Sequence, residues 1–439
     1  TTPAPDLLLP RSVLPIHYNL NIEPNHNLNQ FFGTITVELN VTESTNIIKI
    51  HSYLLTVTDP KVTDSSDQSL ELKNFTYDQQ KKYHIIELNN QITVGNDYSL
   101  TLSFNGSLIG KIIGFYKSVY TNSHNQISAT KFEPTYARQA FPCFDEPNMK
   151  ATYSISIIHD KNLNAISDGR EIAKDIIDDN RVRTAFSKTV PMSTYLVAFV
   201  ISDFEYKQSS TLRGKPVRVF SRPDQIEKTT YALETAIKVL EFYENYFGID
   251  YPLEKLDLVA LPVFVSGAME NWGLITFREV NLLYSEQESS TNEKKRVNAV
   301  ISHELAHMWF GNLVTMDWWD DLWLNEGFAS YIEYRGINAS EPDWHIDQFF
   351  LNDDMHGVLR LDALESSHPI IPVVTNPDQI TEIFDSISYR KGASVLRMLD
   401  CTIPHDLFRD GVRNYLKKFS YGNAKTQDLW NEINIVVEN

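Results

Sequence analysis

The stretch Val297–Glu333 decides how this chain folds; it reads VNAVISHELAHMWFGNLVTMDWWDDLWLNEGFASYIE. It contains His303, Glu304 and His307, and Glu326 follows after eighteen further residues. Two histidines four residues apart on a helix project from one face about one turn apart, close enough to bind one metal ion. A glutamate beside the first histidine can reach a water on that metal. The spacing therefore predicts a metal site of the metalloprotease type.

Local signals predict that this metal site is built on two helices. The tetrapeptide Ser290–Glu293 has the form of a capping box, which marks a helix start, and Gly311 supplies a left-handed stop. A second helix is predicted over Leu322–Tyr334, with Gly336 just past its end. This second helix would bring Glu326 back to the metal as the third ligand.

The predicted ligands have the composition of a catalytic zinc site. Two nitrogens, from His303 and His307, and one carboxylate, from Glu326, leave the fourth tetrahedral position open. Zinc in such a site lowers the pKa of a bound water from about 16 to about 7. Glu304 is then placed to accept a proton and pass it to a leaving amine. We therefore predict one zinc ion per chain; the alternative is two core histidines and an unrelated surface glutamate, which requires the spacing to match by chance.

The composition limits the classes of partner. Of the 439 residues, 42% are hydrophobic and 22% are charged, as in ordinary soluble globular proteins. The formal net charge is -18, from 39 basic and 57 acidic residues, and no basic cluster interrupts the acidic character. Nucleic acid and anionic membrane surfaces are therefore not expected as partners.

The cysteines and the longest apolar run have structural interpretations. Cys143 and Cys401 are too few for a disulfide framework, and we expect two separate buried thiols. The longest apolar run, Tyr195–Ile201, is much shorter than the roughly 20 residues of a membrane span and predicts a buried strand. No membrane span is therefore expected in this chain.

The order of strand and helix patterns predicts a multidomain protein. Short alternating or β-branched runs come first: Tyr18–Ile22, Thr34–Val41, Ile47–His51, Tyr83–Leu88, Tyr98–Phe104, Ala151–Ile158 and Ser193–Val200. They are typical of an antiparallel all-β domain, which we expect over residues 1–205. A helical pattern over Ile226–Phe247 and strand patterns in LDLVALPVF and GLITFRE then precede the metal helices. Strands followed by helices indicate an α+β domain over residues 206–439.

A second motif lies between those two strand patterns and has the sequence GAMEN, residues 267–271. Alone, it predicts a strand edge with one exposed carboxylate. Beside a metal site, however, the carboxylate of Glu270 can bind the protonated amino terminus of a peptide and so select the bond that reaches the metal.

Together these motifs resemble the zinc aminopeptidase N family, gluzincins with a thermolysin-like catalytic domain. The resemblance is carried by GAMEN, HELAHMWFGNLVT and WLNEGFA, and it extends to LPRSVLPIHYNLNI near the start, FEPTYARQAFPCFDEP, STYLVAFVISDF and ISYRKGASVLRML. It covers essentially the whole chain. It implies a thermolysin-like fold for the α+β domain and zinc-dependent release of single residues from peptide amino termini.

The resemblance also implies roles for the residues that perform the reaction. His303, His307 and Glu326 are similar to the zinc ligands of the family, and Glu304 is similar to its general base. Tyr389, in ISYRKG, resembles the tyrosine whose hydroxyl stabilises the tetrahedral intermediate. Chemistry supports this last role, because a carbonyl attacked by hydroxide develops an oxyanion that a phenolic donor can stabilise.

A further set of residues is implied to bind the substrate. Glu133, in FEPTYAR, stands where family members have a second amine-binding residue, and the other members of the set form the second motif: Gly267, Ala268, Met269, Glu270 and Asn271. Two carboxylates around a free ammonium form charge-assisted hydrogen bonds and disfavour a chain interior, whose amide carries no charge. Peptides with a free amino terminus are therefore the expected partners.

Other features bear on cellular location and completeness. Sequons at Asn40, Asn74, Asn105 and Asn338 are no more numerous than chance allows, whereas the start TTPAPDLLLP resembles the end of a surface stalk. We therefore expect an anchored glycoprotein ectodomain at the extracellular face of the plasma membrane, with the secretory-pathway lumen or the cytosol as alternatives. Family members usually continue into a β-sandwich and a helical domain that closes over the site, so we expect a piece of a longer protein with low turnover by itself.

Three functions are open at this point. The first is a zinc aminopeptidase, the second is a family member that performs another hydrolysis, such as opening a lipid epoxide, and the third is a surface receptor for a virus, toxin or ligand. The full GAMEN motif and FEPTYAR favour the first. The sequence leaves the oligomeric state open, with a homodimer as one candidate.

Overall fold

The computed structural model describes residues 8–118, 127–374 and 377–438. They form two compact units, one ending at Phe204 and the other beginning at Glu205. The expected order, a sheet-rich unit followed by an α+β unit, is confirmed. Most of the Thr/Pro-rich start lies outside the described residues. Among the helices that the structure does describe, none combines the length and the apolar character that crossing a membrane requires.

The unit that ends at Phe204 is built from strands. They are β1 (Val13–Asn25), β2 (Gln30–Val41), β3 (Thr45–His51), β4 (Leu55–Asp64), β5 (Leu72–Asp78), β6 (Tyr83–Ile92), β7 (Tyr98–Ser107), β8 (Gly114–Ser118), β9 (Ile127–Lys131), β10 (Thr152–Asp160), β11 (Asn164–Ser167), β12 (Glu171–Ile176), β13 (Arg181–Phe186) and β14 (Phe199–Ser202). In the described residues they form three sheets, in the orders β12-β13-β10-β1-β2-β7-β4, β11-β14-β9-β8 and β3-β6-β5. Neighbours are antiparallel except for β1 and β10, which run parallel.

Buried and exposed side chains alternate along several of these strands, and the buried ones form the core of the unit. In β1, Tyr18, Leu20 and Ile22 are buried while the residues between them are more exposed, because successive side chains point to opposite faces of a sheet. The antiparallel register places Tyr18 opposite Val37 on β2, so apolar side chains meet on one face. Across the parallel pair, Tyr18 stacks on Tyr153 with ring centroids 4.8 Å apart.

The predicted strand over Ser193–Val200 is wrong in its first half. The structure has a 3-10 helix at Thr194–Leu196, and β14 begins only at Phe199. The hydroxyl of Ser193 donates to the carbonyl oxygen of Pro147 at 2.6 Å, and the hydroxyl of Thr194 donates to Asp145 at 2.6 Å. These side-chain bonds favour a turn over an extended strand at this point.

The unit that begins at Glu205 combines a sheet with helices. Its strands are β15 (Glu205–Ser210), β16 (Pro216–Ser221), β17 (Leu256–Leu261), β18 (Ala268–Met269), β19 (Leu274–Arg278), β20 (Thr315–Met316) and β21 (Asn423–Ala424). Its helices are α1 (Thr230–Phe247), α2 (Thr291–Ala306), α3 (Trp323–Ser340), α4 (Asp347–Phe350), α5 (His356–Asp362), α6 (Pro377–Glu382), α7 (Gly392–Thr402), α8 (His405–Lys418) and α9 (Thr426–Glu438). The main sheet has the order β15-β16-β17-β19-β18, with β16, β17 and β19 parallel.

The start of α2 follows the predicted capping box. The Ser290 hydroxyl accepts a hydrogen bond from the Glu293 N–H at 3.2 Å, and the Glu293 carboxylate accepts one from the Ser290 N–H at 2.6 Å. The predicted stop is less accurate, because α2 ends at Ala306 and turns lead on to Gly311, which has a φ of 126°. The N-terminal signal is local and is confirmed, whereas the C-terminal end depends on contacts beyond the helix.

The predicted end of α3 at Gly336 is wrong, since this helix continues to Ser340. A Cβ atom at Gly336 would lie 2.3 Å from the hydroxyl oxygen of Tyr243 on α1. That hydroxyl donates to the carbonyl oxygen of Ser302 on α2 at 2.9 Å. Gly336 therefore permits the close packing of three helices rather than ending one of them.

The two cysteines are both free, but they differ in exposure. Cys143 is buried, as predicted. Cys401 is exposed, so the prediction of a second buried thiol is wrong. Cys401 is exposed because it lies at the end of α7, where its side chain and that of Thr402 face solvent.

Candidate metal centre

Three side chains from two helices converge at the centre of the second unit. His303 lies in the last turn of α2 and His307 follows its end, and their Nε2 atoms are 3.1 Å apart. Glu326 lies in the first turn of α3, and its Oε2 atom is 3.3 Å from His303 Nε2 and 3.2 Å from His307 Nε2. The three residues predicted as metal ligands are thus brought together.

The outer nitrogen of each histidine is already engaged. His303 Nδ1 lies 2.9 Å from the Glu333 carboxylate, and His307 Nδ1 lies 2.9 Å from the carbonyl oxygen of Phe310. Both partners accept hydrogen bonds, so each Nδ1 carries a proton and each Nε2 is the nitrogen that a metal ion would bind. Such outer partners fix the orientation of metal-binding histidines.

This arrangement fits a divalent cation. Two imidazole nitrogens and a carboxylate oxygen lie close enough together to bind one cation. The surrounding charge also favours a cation: burial, the largest single effect, lowers the pKa of His307, but the carboxylates of Glu270 and Glu326 outweigh it and raise this pKa to about 9. Two nitrogens and one carboxylate oxygen match the ligand types of a metal site that keeps one position open.

Glu304 lies beside the three predicted ligands and is itself buried. Burial raises the pKa of Glu304 to about 8, and the negative charge of Glu270 adds to the rise, while the two histidines oppose it. A cation held by the ligands would lower this pKa again. The Oε2 atom of Glu304 has no hydrogen-bond partner among the described residues. This oxygen is therefore available to accept a proton.

The GAMEN segment forms a strand end next to the same histidines. Ala268 and Met269 make up β18, which pairs antiparallel with β19, and Gly267 accepts hydrogen bonds from the N–H of Arg278 and from the side chain of Asn281, both at 3.0 Å. These bonds fix the strand from which Glu270 projects.

Glu270 is buried, and its Oε1 atom lies 3.9 Å from His307 Nδ1. Within the described residues this oxygen has no hydrogen-bond partner. The backbone carbonyl of Glu270 accepts from the side chain of Asn312 at 2.8 Å, and Asn271 donates to the carbonyl oxygen of Leu274 at 3.1 Å. The carboxylate is thus held beside the metal-binding residues with one oxygen left for a ligand.

Tyr389 is also brought to this site. It lies in a π-helical turn, Ile387–Lys391, and its ring is nearly parallel to that of His303, with centroids 6.0 Å apart and an interplanar angle of 8°. Two glycines bring this turn close to α3, because a Cβ atom at Gly327 would lie 2.9 Å from the Cα atom of Gly392. Gly327 directly follows Glu326 in the sequence, so this close contact sets one predicted ligand relative to Tyr389.

Glu133 belongs to the other unit and lies just after β9. Its carboxylate accepts a hydrogen bond from the Lys131 ammonium at 2.9 Å, and both side chains are buried. The Glu133–Pro134 peptide bond is cis. One oxygen of the Glu133 carboxylate, Oε2, is therefore paired with a cation of the same unit.

Several residues around the site were not assigned a role from the sequence. The position of Glu333 near the ligands could have been predicted from its spacing, because it follows Glu326 by two helical turns on α3 and so lies on the same face. The carbonyl of Phe310 and the side chain of Asn312 carried no sequence signal, because their contacts depend on the turns after α2. The sequence carried no signal for Asp354 either.

A sheet-rich unit followed by an α+β unit that holds an HExxH motif and a later glutamate defines the class of HExxH metallopeptidases. The sequence matches the Peptidase M1 N-terminal domain over residues 14–196 and the Peptidase family M1 domain over residues 231–439. The chain belongs to peptidase family M1, which confirms the resemblance stated from its motifs.

Individual relatives are similar over nearly the whole chain. Aminopeptidase A of Gloydius brevicauda is 48% identical over 96% of this chain and 44% of its own length. Glutamyl aminopeptidase of Homo sapiens is 43% identical over 96% of this chain and 45% of its own length. Endoplasmic reticulum aminopeptidase 1 of Rattus norvegicus is 42% identical over 98% of this chain and 46% of its own length. The chain thus spans slightly less than half the length of these relatives.

We expect Glu333→Gln to weaken zinc binding about 10- to 100-fold, because the neutral amide oxygen accepts the His303 bond more weakly and no longer raises the basicity of the ring. Competition with a chromogenic chelator measures the affinity. Glu234→Gln, an exposed position on α1, is the matched control and should bind zinc like the parent protein. Equal affinity in both variants would show that Glu333 does not support the metal site.

Proposed function

We propose that this chain carries the catalytic part of a zinc-dependent aminopeptidase, which removes single residues from the amino terminus of peptides. The observation that carries the proposal is a pair of buried carboxylate oxygens, Glu304 Oε2 and Glu270 Oε1, that lie beside the three converging ligands without a hydrogen-bond partner among the described residues. One oxygen suits a water molecule and the other suits an ammonium group. An exopeptidase needs both.

The proposed reaction divides its tasks among the residues of this chain. His303, His307 and Glu326 would hold the zinc ion, which would supply the Lewis acidity that makes a water nucleophilic near neutral pH and polarises the peptide carbonyl. Glu304 accepts a proton from the attacking water and passes it to the leaving amine. The hydroxyl of Tyr389 donates a hydrogen bond to the developing oxyanion.

Selection of the amino terminus falls to carboxylates in this proposal. Glu270 binds the free ammonium of the substrate, and Glu133 is proposed as a second anchor that shares its charge with Lys131. Gly267, Ala268, Met269 and Asn271 hold Glu270 and border the substrate. Because several relatives are named glutamyl aminopeptidase, a peptide with an amino-terminal glutamyl residue is the first candidate substrate.

Glu304→Gln is expected to retain one zinc ion and to lose turnover by about 10²- to 10⁴-fold, because the amide cannot accept the proton of the attacking water. Metal analysis and hydrolysis of aminoacyl chromogenic substrates are measured on the same samples. Removing zinc from the parent protein with a chelator should also abolish hydrolysis, and adding zinc should restore it. Unchanged turnover in Glu304→Gln would refute its assignment as the base.

Glu270→Gln is expected to lower kcat/KM by about 10- to 100-fold, because a charge-assisted hydrogen bond to the substrate ammonium is lost. Alanyl, leucyl, glutamyl and lysyl substrates are compared, each with its N-acetylated form. The parent protein should leave every acetylated substrate intact. Cleavage of acetylated substrates at the same rate would contradict amine recognition and favour another hydrolysis.

Location and organisation belong to the same proposal. We place the protein at the extracellular face of the plasma membrane, as an anchored glycoprotein with domains at residues 1–205 and 206–439. Of the four sequons, Asn40 and Asn74 are exposed, while Asn105 and Asn338 are half-buried. Protein from a secreting eukaryotic host should lose apparent mass on treatment with an N-glycosidase, first at the exposed sites. Material without glycan at any sequon would argue for the cytosol.

A further inference from the structure

The carboxylate of Asp354 joins two elements of the metal centre. Asp354 lies in a π-helical turn, Leu351–Met355, and its side chain is 13% exposed. Its Oδ1 atom lies 3.2 Å from Nε of Arg390, and its Oδ2 atom accepts a hydrogen bond from the hydroxyl of Tyr334 at 2.9 Å. Both oxygens are therefore committed, one to a cation and one to a phenol.

Each of these partners is next to a residue that contacts His303. Tyr334 follows Glu333, whose carboxylate holds His303 Nδ1 at 2.9 Å. Arg390 follows Tyr389, whose ring lies parallel to the ring of His303 at 6.0 Å between centroids. Asp354 thus links the two chain segments that carry these residues, one with the glutamate that holds His303 and the other with the proposed oxyanion donor.

The turn that carries Tyr389 depends on such contacts for its orientation. Its N–H groups at Ile387 and Ser388 are capped by Asp385, at 2.9 Å and 3.2 Å, which fixes the start of the turn. Two side chains of the turn hold it as well: Ser388 donates to the carbonyl oxygen of Ile383 at 2.7 Å, and Lys391 donates to Asp362 at 2.8 Å. The Arg390–Asp354 ion pair adds a restraint directly after Tyr389 and links the turn to Tyr334.

We propose that Asp354 is a positioning residue, which holds the Tyr389 hydroxyl in place by tying Arg390 and Tyr334 together. The proposal rests on the proposed function, in which Tyr389 stabilises the oxyanion. Asp354 acts through Tyr389, because its two carboxylate oxygens contact Arg390 and Tyr334 rather than a predicted metal ligand. The loss of Asp354 should therefore have no effect where Tyr389 has already lost its hydroxyl.

A double-mutant cycle on the zinc-loaded protein tests this dependence. Asp354→Asn should lower kcat roughly 10- to 100-fold with KM nearly unchanged and zinc retained, because a misplaced catalytic group costs about that much. Tyr389→Phe should lower kcat by about 10²- to 10³-fold. The double variant should be no slower than Tyr389→Phe alone. If the two fold-losses multiply, Asp354 acts independently of Tyr389 and the proposal is wrong.

Two further variants separate positioning from general damage. Asp353→Asn is the matched control, because Asp353 lies in the same turn but pairs with Lys295 at the surface, 2.9 Å away, and it should keep the parent kcat. Arg390→Gln removes only the cationic partner of Asp354 and leaves the Tyr334 bond. Arg390→Gln should show part of the loss of kcat seen in Asp354→Asn, again only when the Tyr389 hydroxyl is present. A similar loss in Asp353→Asn would overturn the positioning role.

A crystal structure of zinc-loaded Asp354→Asn gives a readout besides activity. The three metal ligands should keep their places while the Tyr389 ring turns away from the plane of His303. An unmoved ring would refute the proposal even if the parent protein hydrolyses no aminoacyl substrate. Absence of hydrolysis by the parent would count against the proposed function alone, so the two failures are distinguishable.

Discussion

The convergence of three ligand side chains on one point is the constraint on which this structure depends. The Nε2 atoms of His303 and His307 lie 3.1 Å apart, and the Glu326 carboxylate faces both. Such an arrangement persists only if both helices are held rigidly and the outer nitrogens are fixed. The Glu333 carboxylate fixes Nδ1 of His303, and the carbonyl of Phe310 fixes Nδ1 of His307. The packing of α3 against α2 holds the two helices rigidly.

Glycine makes that rigidity possible where helices must come closest. Gly336 lets α3 approach the Tyr243 hydroxyl, which in turn bonds to the backbone of α2. Gly327 and Gly392 bring the first turn of α3 against the turn that carries Tyr389. In each case a single methyl group would separate elements whose relative position determines the geometry of the site.

The parts of the site that depend on local spacing could be predicted, and those that depend on packing could not. The spacing of His303 and His307 and the capping box follow from helix geometry alone, so both were visible in the sequence. Gly336 was wrongly assigned as a helix stop. A glycine is needed there because the Tyr243 side chain, far away in sequence, packs against it. Tyr389 is one of 21 tyrosines, and only the resemblance to a known family selected it.

Charge balance connects the ligands to the proposed chemistry. Glu270, Glu304, Glu326 and Glu333 place four carboxylates in or beside the buried centre, and buried charges require compensation. If all four are ionised, a divalent cation and one substrate ammonium still leave about one negative charge uncompensated. One proton restores neutrality. Before a cation binds, burial raises the pKa of Glu304 to about 8, so Glu304 is a carboxylate that can hold this proton. The same imbalance that attracts a metal and an amine therefore favours proton uptake by the residue proposed as the base.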